Sequence, residues 1–108
     1  MICYDLAEID DAIESTAVPT AAKLKAKAFA RGIAYRGVVG AHMDTWDDGR
    51  GLNLRYFSEC ADVKFTTDRH CNARASVDTK HDNGHAVTNL DVSPRSYGLI
   101  AAMLLART

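Results

Sequence analysis

Apolar positions near the start of the chain recur at the spacing of an α-helix. Leu6, Ile9 and Ile13 fall within about 60° of one another at roughly 100° per residue, and acidic side chains cover the opposite side. Asp5 is a residue type that caps helices, and the glutamate three positions later completes a capping box. The pattern predicts a first helix that ends before Pro19.

The following segment predicts a second, basic helix. Thr20 is its expected N-cap and Gly32 its expected C-terminal cap, with the sequence AAKLKAKAFAR between them. Part of this sequence also alternates with a period of two, which would suit a strand, but alanine and lysine favour a helix. The expected buried side consists of Ala21, Leu24, Ala28 and Phe29.

From residue 33 onward the pattern is typical of β-strands. Gly37 and Gly40 interrupt a first predicted strand over 33–43 and indicate a bulge or bend. Four shorter alternating segments follow at 52–57, 62–67, 73–79 and 85–92. The last two flank an Asn-Gly pair, which is the strongest short hairpin signal. The simplest arrangement of these segments is an antiparallel meander of about five strands.

The last segment predicts a helix from Pro94 to about Arg107, with Ser93 as its N-cap. Its side chains are apolar on nearly every side. Such a helix is covered by both a sheet and another helix, or it contacts a second copy of the protein as a homodimer. The element order predicts a single α+β domain over 1–108, with two N-terminal helices and one C-terminal helix packed on one face of an antiparallel sheet.

The composition is that of an ordinary globular domain. The 108 residues are 47% hydrophobic and 25% charged, with a net charge of −1, which allows a modest core and argues against disorder. No apolar run approaches the roughly 20 residues of a membrane-spanning helix. The chain starts without the basic and apolar regions of a signal peptide, and its three cysteines do not suit a disulfide framework. These features predict a cytoplasmic protein that does not enter a membrane.

Charge is segregated into two blocks in this nearly neutral chain. Residues 1–16 contain five acids and no base, whereas 23–36 contain five bases and no acid. Such patches can steer a charged partner. The leading hypothesis is a small non-enzymatic interaction protein, an inhibitor or adaptor of the phage or mobile-element type. It would bind a basic surface of a larger, nucleic-acid-handling protein complex. The candidate partner-binding residues are Glu8, Asp10, Asp11, Glu14, Trp46, Asp47 and Asp48.

The acids of the first helix and the loop around Trp46 can each be explained by a structural role in place of partner binding. The acidic side chains also favour the positive end of the helix dipole, and they could pair with the basic helix across a helix hairpin. Trp46 lies in an acidic loop, where an exposed ring would suit a protein partner. The alternative is a ring folded back over the sheet edge.

The second hypothesis is a nucleic-acid-binding module that uses the basic block. An α-β-β-β-α order within the last three quarters of the chain loosely resembles the double-stranded-RNA-binding domain, in topology only. That family has a basic start to its final helix, whereas this chain has SPRSYGL there. A sequence pI of about 6.4 is also low for a dedicated nucleic-acid domain. The candidate residues are Lys23, Lys27, Arg31 and Arg36.

The third hypothesis is a small metal-binding protein or enzyme built around a cysteine- and histidine-containing window. Structural zinc sites usually bring their ligands in close pairs, but Cys60 and Cys71 of this window are eleven positions apart. His81 and His85 have H-x3-H spacing across a predicted turn. No nucleophile elbow, phosphate-binding loop or H-E-x-x-H motif is present. We therefore expect no cofactor and no catalytic residues, and keep as weak metal candidates Cys60, Cys71, His81 and His85.

Overall fold

The structure is a computed structural model that describes residues 1–81 and 84–106, except for the side chain of His81. Its elements in chain order are β1 (Ile2–Cys3), α1 (Leu6–Glu14), α2 (Thr20–Tyr35), β2 (Ala41–Trp46), β3 (Gly51–Phe57), β4 (Ala61–Thr67), β5 (Ala73–His81), β6 (Gly84–Leu90) and α3 (Pro94–Leu105). Within the part of the chain that is described, no helix is long and apolar enough to cross a bilayer.

The strands form one antiparallel sheet in the order β1-β2-β3-β4-β5-β6. This confirms the predicted α+β meander, with six strands in place of about five. The additional strand is β1, which places Ile2 opposite His42 and Cys3 opposite Ala41. A two-residue strand is too short to produce a periodic signal in the sequence.

All three helices pack against the same face of the sheet. Along β3 the side chains of Leu52, Leu54 and Tyr56 are buried beneath the helices, whereas Asn53 and Arg55 alternate with them on the other face. This is the period of two that an antiparallel sheet shows when one face is covered. No helix of residues 1–81 and 84–106 lies on the opposite face of the sheet.

An aromatic cluster joins α2, α3 and the sheet at the centre of the core. The Phe29 ring stacks on Phe65, with centroids 4.3 Å apart, and meets Tyr97 edge-on at 5.2 Å. Tyr56 lies 6.1 Å from Phe29 on the adjacent strand. These rings are almost fully removed from water, so a large share of the hydrophobic stabilisation is concentrated here.

The prediction that α2 ends at Gly32 is wrong. The first part of the strand predicted over 33–43 is also wrong, because those residues are not in a strand. The helix continues through Gly32 to Tyr35, and β2 begins only at Ala41. Gly32 serves close packing and not termination: a Cβ there would lie 2.2 Å from a ring carbon of Tyr97. The turn falls instead at Gly37, whose φ of +104° favours glycine.

The buried side of α2 also differs from the prediction. Ala21, Leu24 and Ala28 are exposed. The buried residues are Ala22, Ala26, Phe29, Ala30 and Ile33, which repeat at helical spacing. Small alanines let the helix approach α1 and the sheet closely, and this depends on tertiary contacts that the local pattern does not reveal. The N-cap is Pro19 and not Thr20, and among the described side chains none caps this end of the helix.

The other helices follow the predictions closely. Asp5 caps α1, and α3 begins with Pro94 in its first turn, although the Ser93 hydroxyl makes no capping bond. One side of α3 is buried against α2 and β4, whereas Leu99 and Leu105 are about half exposed. Homodimerisation through this helix stays a prediction, which light scattering would test.

Two predicted features lie outside the described residues, namely the turn at 82–83 and the end of the last helix at Arg107. The strands on either side of that turn do pair, with His81 opposite Gly84. The hairpin that the Asn-Gly pair predicted is therefore present.

Candidate interaction surfaces

Two of the five acids in the first block hold the start of α1. The Asp5 carboxylate accepts a hydrogen bond from the Glu8 backbone N–H at 2.9 Å. The Glu8 carboxylate accepts one from the Tyr4 N–H, also at 2.9 Å. These bonds satisfy backbone donors that a helix end otherwise leaves free. Glu8 is exposed, so its carboxylate remains accessible at the surface.

A third acid, Glu14, is paired with the basic helix. Its carboxylate contacts the Lys27 ammonium group, and Lys23 donates to its backbone carbonyl at 3.1 Å. The hydrogen bond from Lys27 lowers the pKa of Glu14 below its ordinary value. The alternative in which the two charge blocks pair with each other is thus confirmed for Glu14, which the structure does not leave free for a partner.

The basic block is divided among several internal contacts. The Lys25 ammonium donates to the Cys71 carbonyl on the sheet side. Arg36 donates to the Gly32 carbonyl at 2.9 Å, and its guanidinium lies 5.9 Å from the Tyr97 ring centre. Because these contacts and those of Lys23 and Lys27 point in different directions, the block does not form one continuous basic surface. Arg31 is exposed.

Asp10 and Asp11 are the remaining acids of α1. Asp10 is half-buried, and its Oδ1 atom is out of contact with solvent. Asp11 is exposed and lies beside β1. The acidic helix therefore presents Glu8 and Asp11 most openly, which is a smaller patch than the sequence predicted.

The structure adds a surface that the sequence did not indicate. A groove of about 290 Å³ runs beside β1 and is lined in part by Ile2, Tyr4 and Phe57. A second groove, of about 340 Å³, shares Ile2 with the first and includes Glu8 and Asp11. We call these two grooves together the N-terminal edge surface. Met1, Ile2, Tyr4 and Phe57 are 54–73% exposed on it, which is unusual for neighbouring large apolar side chains.

Sequence reasoning missed this surface because its parts are distant in the chain. Phe57 ends β3, whereas Ile2 and Tyr4 flank β1, and only the pairing of β1 with β2 brings them to one edge. The run of apolar residues at positions 1–4 is the only local signal. Such a short run is equally typical of a buried segment.

Trp46 folds back over the sheet. Its indole N–H donates to the Thr67 carbonyl at 3.0 Å. One side of the ring lies against Gly51, where a Cβ would come within 2.4 Å of the indole. This is the alternative arrangement considered from the sequence. The ring remains 40% exposed, and its orientation is supported by this hydrogen bond and by the contact with Gly51.

The acidic loop after Trp46 is held by an ion pair. The Asp47 carboxylate accepts two hydrogen bonds from the Arg69 guanidinium, at 2.8 and 2.6 Å. This lowers the pKa of Asp47 below its ordinary value and raises that of Arg69. Asp48 is exposed. β1 pairs with the first residues of β2, whereas this acidic loop follows the last residue of β2. Trp46, Asp47 and Asp48 therefore lie at the other end of the strands from the N-terminal edge surface.

The candidates whose side chains are described, Cys60, Cys71 and His85, do not converge. Cys60 lies before β4 and Cys71 follows it, so the seven-residue strand separates them by about 20 Å. His85 instead lies 3.3 Å from an Asp78 carboxylate oxygen. The side chain of His81 is outside the described residues. Among the residues with described side chains, no group of three His, Cys, Asp or Glu is placed to hold a metal ion.

A further groove of about 350 Å³ lies between α2, α3 and the sheet. Phe65 and Tyr97 form its apolar walls, and Lys25 and Asn72 are its charged and amide side chains. This lining provides no pair of a nucleophile and a base among the described residues.

Comparisons with known proteins add no assignment. No protein-family model matches the chain, and no curated protein or solved structure is significantly similar to it.

Proposed function

We propose that this chain is a small non-enzymatic interaction protein, an inhibitor or adaptor of the type that phages and mobile elements produce. It acts in the cytoplasm on a larger, nucleic-acid-handling protein complex. The observation that carries the proposal is the N-terminal edge surface, where exposed apolar side chains lie beside acidic ones. This combination favours a partner that offers apolar side chains next to Lys or Arg.

The apolar part of the surface supports a protein partner. Tyr4 is 73% exposed, and it adjoins Ile2 and Phe57 along one groove. Covering such side chains contributes about 25 cal/mol for each Å² of apolar area removed from water. Aromatic residues within a groove are also the commonest binding hot spots. Tyr4 is therefore the proposed anchor.

The charged part of the surface supports a basic partner. Asp11 is exposed beside the same strand, and Glu8 lies with it in the second groove. Charges at the rim of an interface mainly affect orientation and the rate of association. The acidic site predicted from sequence is thereby narrowed to Glu8 and Asp11 on this surface. Glu14 is paired with Lys27, and Asp10 is half-buried. Asp47 and Asp48 lie in the loop after β2, away from this surface.

The cysteines support the proposed compartment. The three thiols are free, and Cys3 is buried beneath the N-terminal edge surface. Free thiols persist in the reducing cytoplasm.

Photocrosslinking tests the location of the surface. A photoreactive benzoylphenylalanine replaces Tyr4 in one variant and Tyr35 in a matched control, since both tyrosines are exposed and Tyr35 lies at the end of α2. In cells that produce the protein, we expect the variant at Tyr4 to crosslink one protein, at a segment containing Lys or Arg. Equal crosslinking at Tyr35, or none at Tyr4, would contradict the proposal.

A charge comparison then tests the acidic rim. Asp11→Asn and Asp48→Asn each remove one exposed carboxylate, but from opposite ends of the sheet. With the purified crosslinked partner, Asp11→Asn should weaken binding about two- to fivefold, as an exposed ion pair contributes up to about 1 kcal/mol. Asp48→Asn should leave it unchanged. The reverse result would move the interface to the acidic loop.

A further inference from the structure

The face of the sheet opposite the helices carries a patch of bases in its middle. Antiparallel partners point to the same face, so Arg55 of β3 lies directly opposite Lys64 of β4. Arg74 of β5 lies opposite Thr66, one pair further along the same face. We call the uncovered side of the sheet the open face. Three bases are thus neighbours on three consecutive strands.

This arrangement is unfavourable for the protein alone. Like charges directly opposite each other destabilise a sheet. Within residues 1–81 and 84–106, no acid forms an ion pair with Arg55, Lys64 or Arg74. The bases in the middle of the open face therefore have no direct ion-pair partner in the described part of the chain.

The acids of the described open face are Asp44, Asp62 and Asp78, and none of them forms an ion pair with the basic patch. Asp44 instead lies 3.6 Å from the N-terminal ammonium group. Asp62 lies opposite Asp78, and each has its own partner. The Lys80 ammonium lies 3.2 Å from an oxygen of Asp62, and His85 lies 3.3 Å from Asp78. The Lys80 ammonium thus offsets the charge of Asp62 beside Asp78, whereas no such contact among the described residues offsets the pair formed by Arg55 and Lys64.

Aromatic rings lie at both ends of the basic patch. The Arg55 guanidinium lies 4.7 Å from the ring centre of Phe57, which is 54% exposed. At the other end, Trp46 covers Gly51 and borders a groove of about 260 Å³ that Thr66, Asp68 and Arg74 also line. The Asp68 carboxylate accepts hydrogen bonds there from the backbone N–H groups of His70 and Asn72. Along β3 the two rings are about 20 Å apart.

We propose that the open face binds single-stranded nucleic acid. Arg55, Lys64 and Arg74 contact three phosphates, while nucleobases stack on Trp46 at one end and near Phe57 at the other. Proteins that bind single strands combine a positive surface with exposed rings in this way. An acidic protein segment would contact the basic side chains but would not need the aromatic rings. A nucleic acid duplex keeps its nucleobases stacked inside, where the rings cannot reach them. The observations therefore favour a single strand.

This surface adjoins the N-terminal edge surface at Arg55 and Phe57, which line both. The test therefore uses Lys64, Arg74 and Trp46, which belong to the open face alone. Failure of this proposal would leave the protein-binding surface unaffected, and the reverse also holds. If both are correct, the protein joins a protein partner to a nucleic acid strand.

Binding can be followed through Trp46 itself, because the chain contains a single tryptophan. A thymidine oligonucleotide of about 10 residues is titrated into the protein, and the matching uridine oligonucleotide separates DNA from RNA binding. Stacking on Trp46 should quench its fluorescence. From about 50 to 200 mM salt, the affinity should fall with a log–log slope near −2, since each of three phosphate contacts to a single strand contributes about −0.7.

A pair of double variants controls for net charge. Lys64→Gln with Arg74→Gln removes two bases from the open face and should reduce the salt slope by about 1.4. Lys23→Gln with Arg31→Gln removes the same two residue types from α2 and should leave the slope unchanged. This control also tests the basic block predicted from sequence. A loss of binding in the α2 variant, with the sheet variant unaffected, would overturn the proposal.

Variants of the ring separate stacking from charge. Trp46→Leu, followed by fluorescence anisotropy of a labelled oligonucleotide, should weaken binding about 5- to 150-fold, which corresponds to about 1–3 kcal/mol for one stacked base. Trp46→Phe keeps a stacking ring and should restore most of the affinity. Binding that is unchanged in Trp46→Leu, or equally strong for duplex DNA, would overturn the proposal, as would no binding at low salt.

Discussion

Gly32 lies inside α2, where the absence of a side chain makes room for the Tyr97 ring. A Cβ at Gly32 would lie 2.2 Å from Cδ2 and 2.5 Å from Cε2 of that ring. Carbon atoms in ordinary contact are about 3.5–4.0 Å apart, so the ring would have to retreat by more than about 1 Å. Tyr97 is only 9% exposed and meets Phe29 edge-on, so its retreat would disturb the aromatic cluster.

Two opposing effects set the size of the change in Gly32→Ala. Replacing glycine by alanine inside a helix normally stabilises it by about 1 kcal/mol. Overpacking a core costs about 1–3 kcal/mol, and a rigid, buried ring places Gly32 in the upper part of that range. We expect a net loss of about 1–2 kcal/mol in the free energy of unfolding. For a domain of this size that lowers the Tm by roughly 5–10 °C.

Gly98 provides a matched control inside α3. A Cβ there would have the Arg36 side chain as its nearest neighbour, at 3.4 Å from Nε and 3.9 Å from Cδ, which is ordinary contact. Gly98→Ala should therefore stabilise the protein by about 0.5–1 kcal/mol. Urea and thermal unfolding followed by circular dichroism measure both variants. If Gly32→Ala were as stabilising as Gly98→Ala, the role assigned to the Tyr97 contact would be refuted.

Three further predictions concern single groups. Burial raises the pKa of the Cys3 thiol, so a thiol reagent should modify the two half-buried cysteines of the native protein first and Cys3 only slowly; a fast third thiol would contradict its burial. The pKa of Asp47 is lowered by Arg69, so this pair stabilises the fold above the ordinary carboxylate pKa and is lost as pH falls through the lower, folded value; Arg69→Gln should raise the pKa of Asp47 in an NMR titration. Lys64→Gln removes the charge opposite Arg55 and should raise the free energy of unfolding by about 0.2–0.5 kcal/mol, measured with urea; a clear loss of stability would mean that the two bases do not repel.

The elements that could be predicted from the sequence are those with a local cause. Asp5 caps α1 because its carboxylate reaches a backbone N–H three residues away. The strands β3 to β6 alternate or flank a turn sequence, and both signals lie within a few residues. The class, the meander and the placement of the helices on one face followed from these local patterns.

The positions that could not be predicted depend on distant neighbours. Gly32 is a typical terminator by local rules, but it lies within a helix because Tyr97, 65 positions later, needs the space. The buried side of α2 differs from the one its local pattern predicts for the same reason, since contact with α1 and the sheet selects Ala22 and Ala26 over Leu24. Tertiary packing overrides a local pattern when both readings are locally acceptable.

The candidate surfaces divide in the same way. The sequence by itself determined that acids and bases are segregated, because charge is a property of each residue. Only the tertiary structure decided which charges remain available: it pairs Glu14 with Lys27, yet brings Arg55 and Lys64 together without an acid among the described residues. Strand register brings together residues that are far apart in the chain, and therefore the sites of this protein became visible only once the sheet was formed.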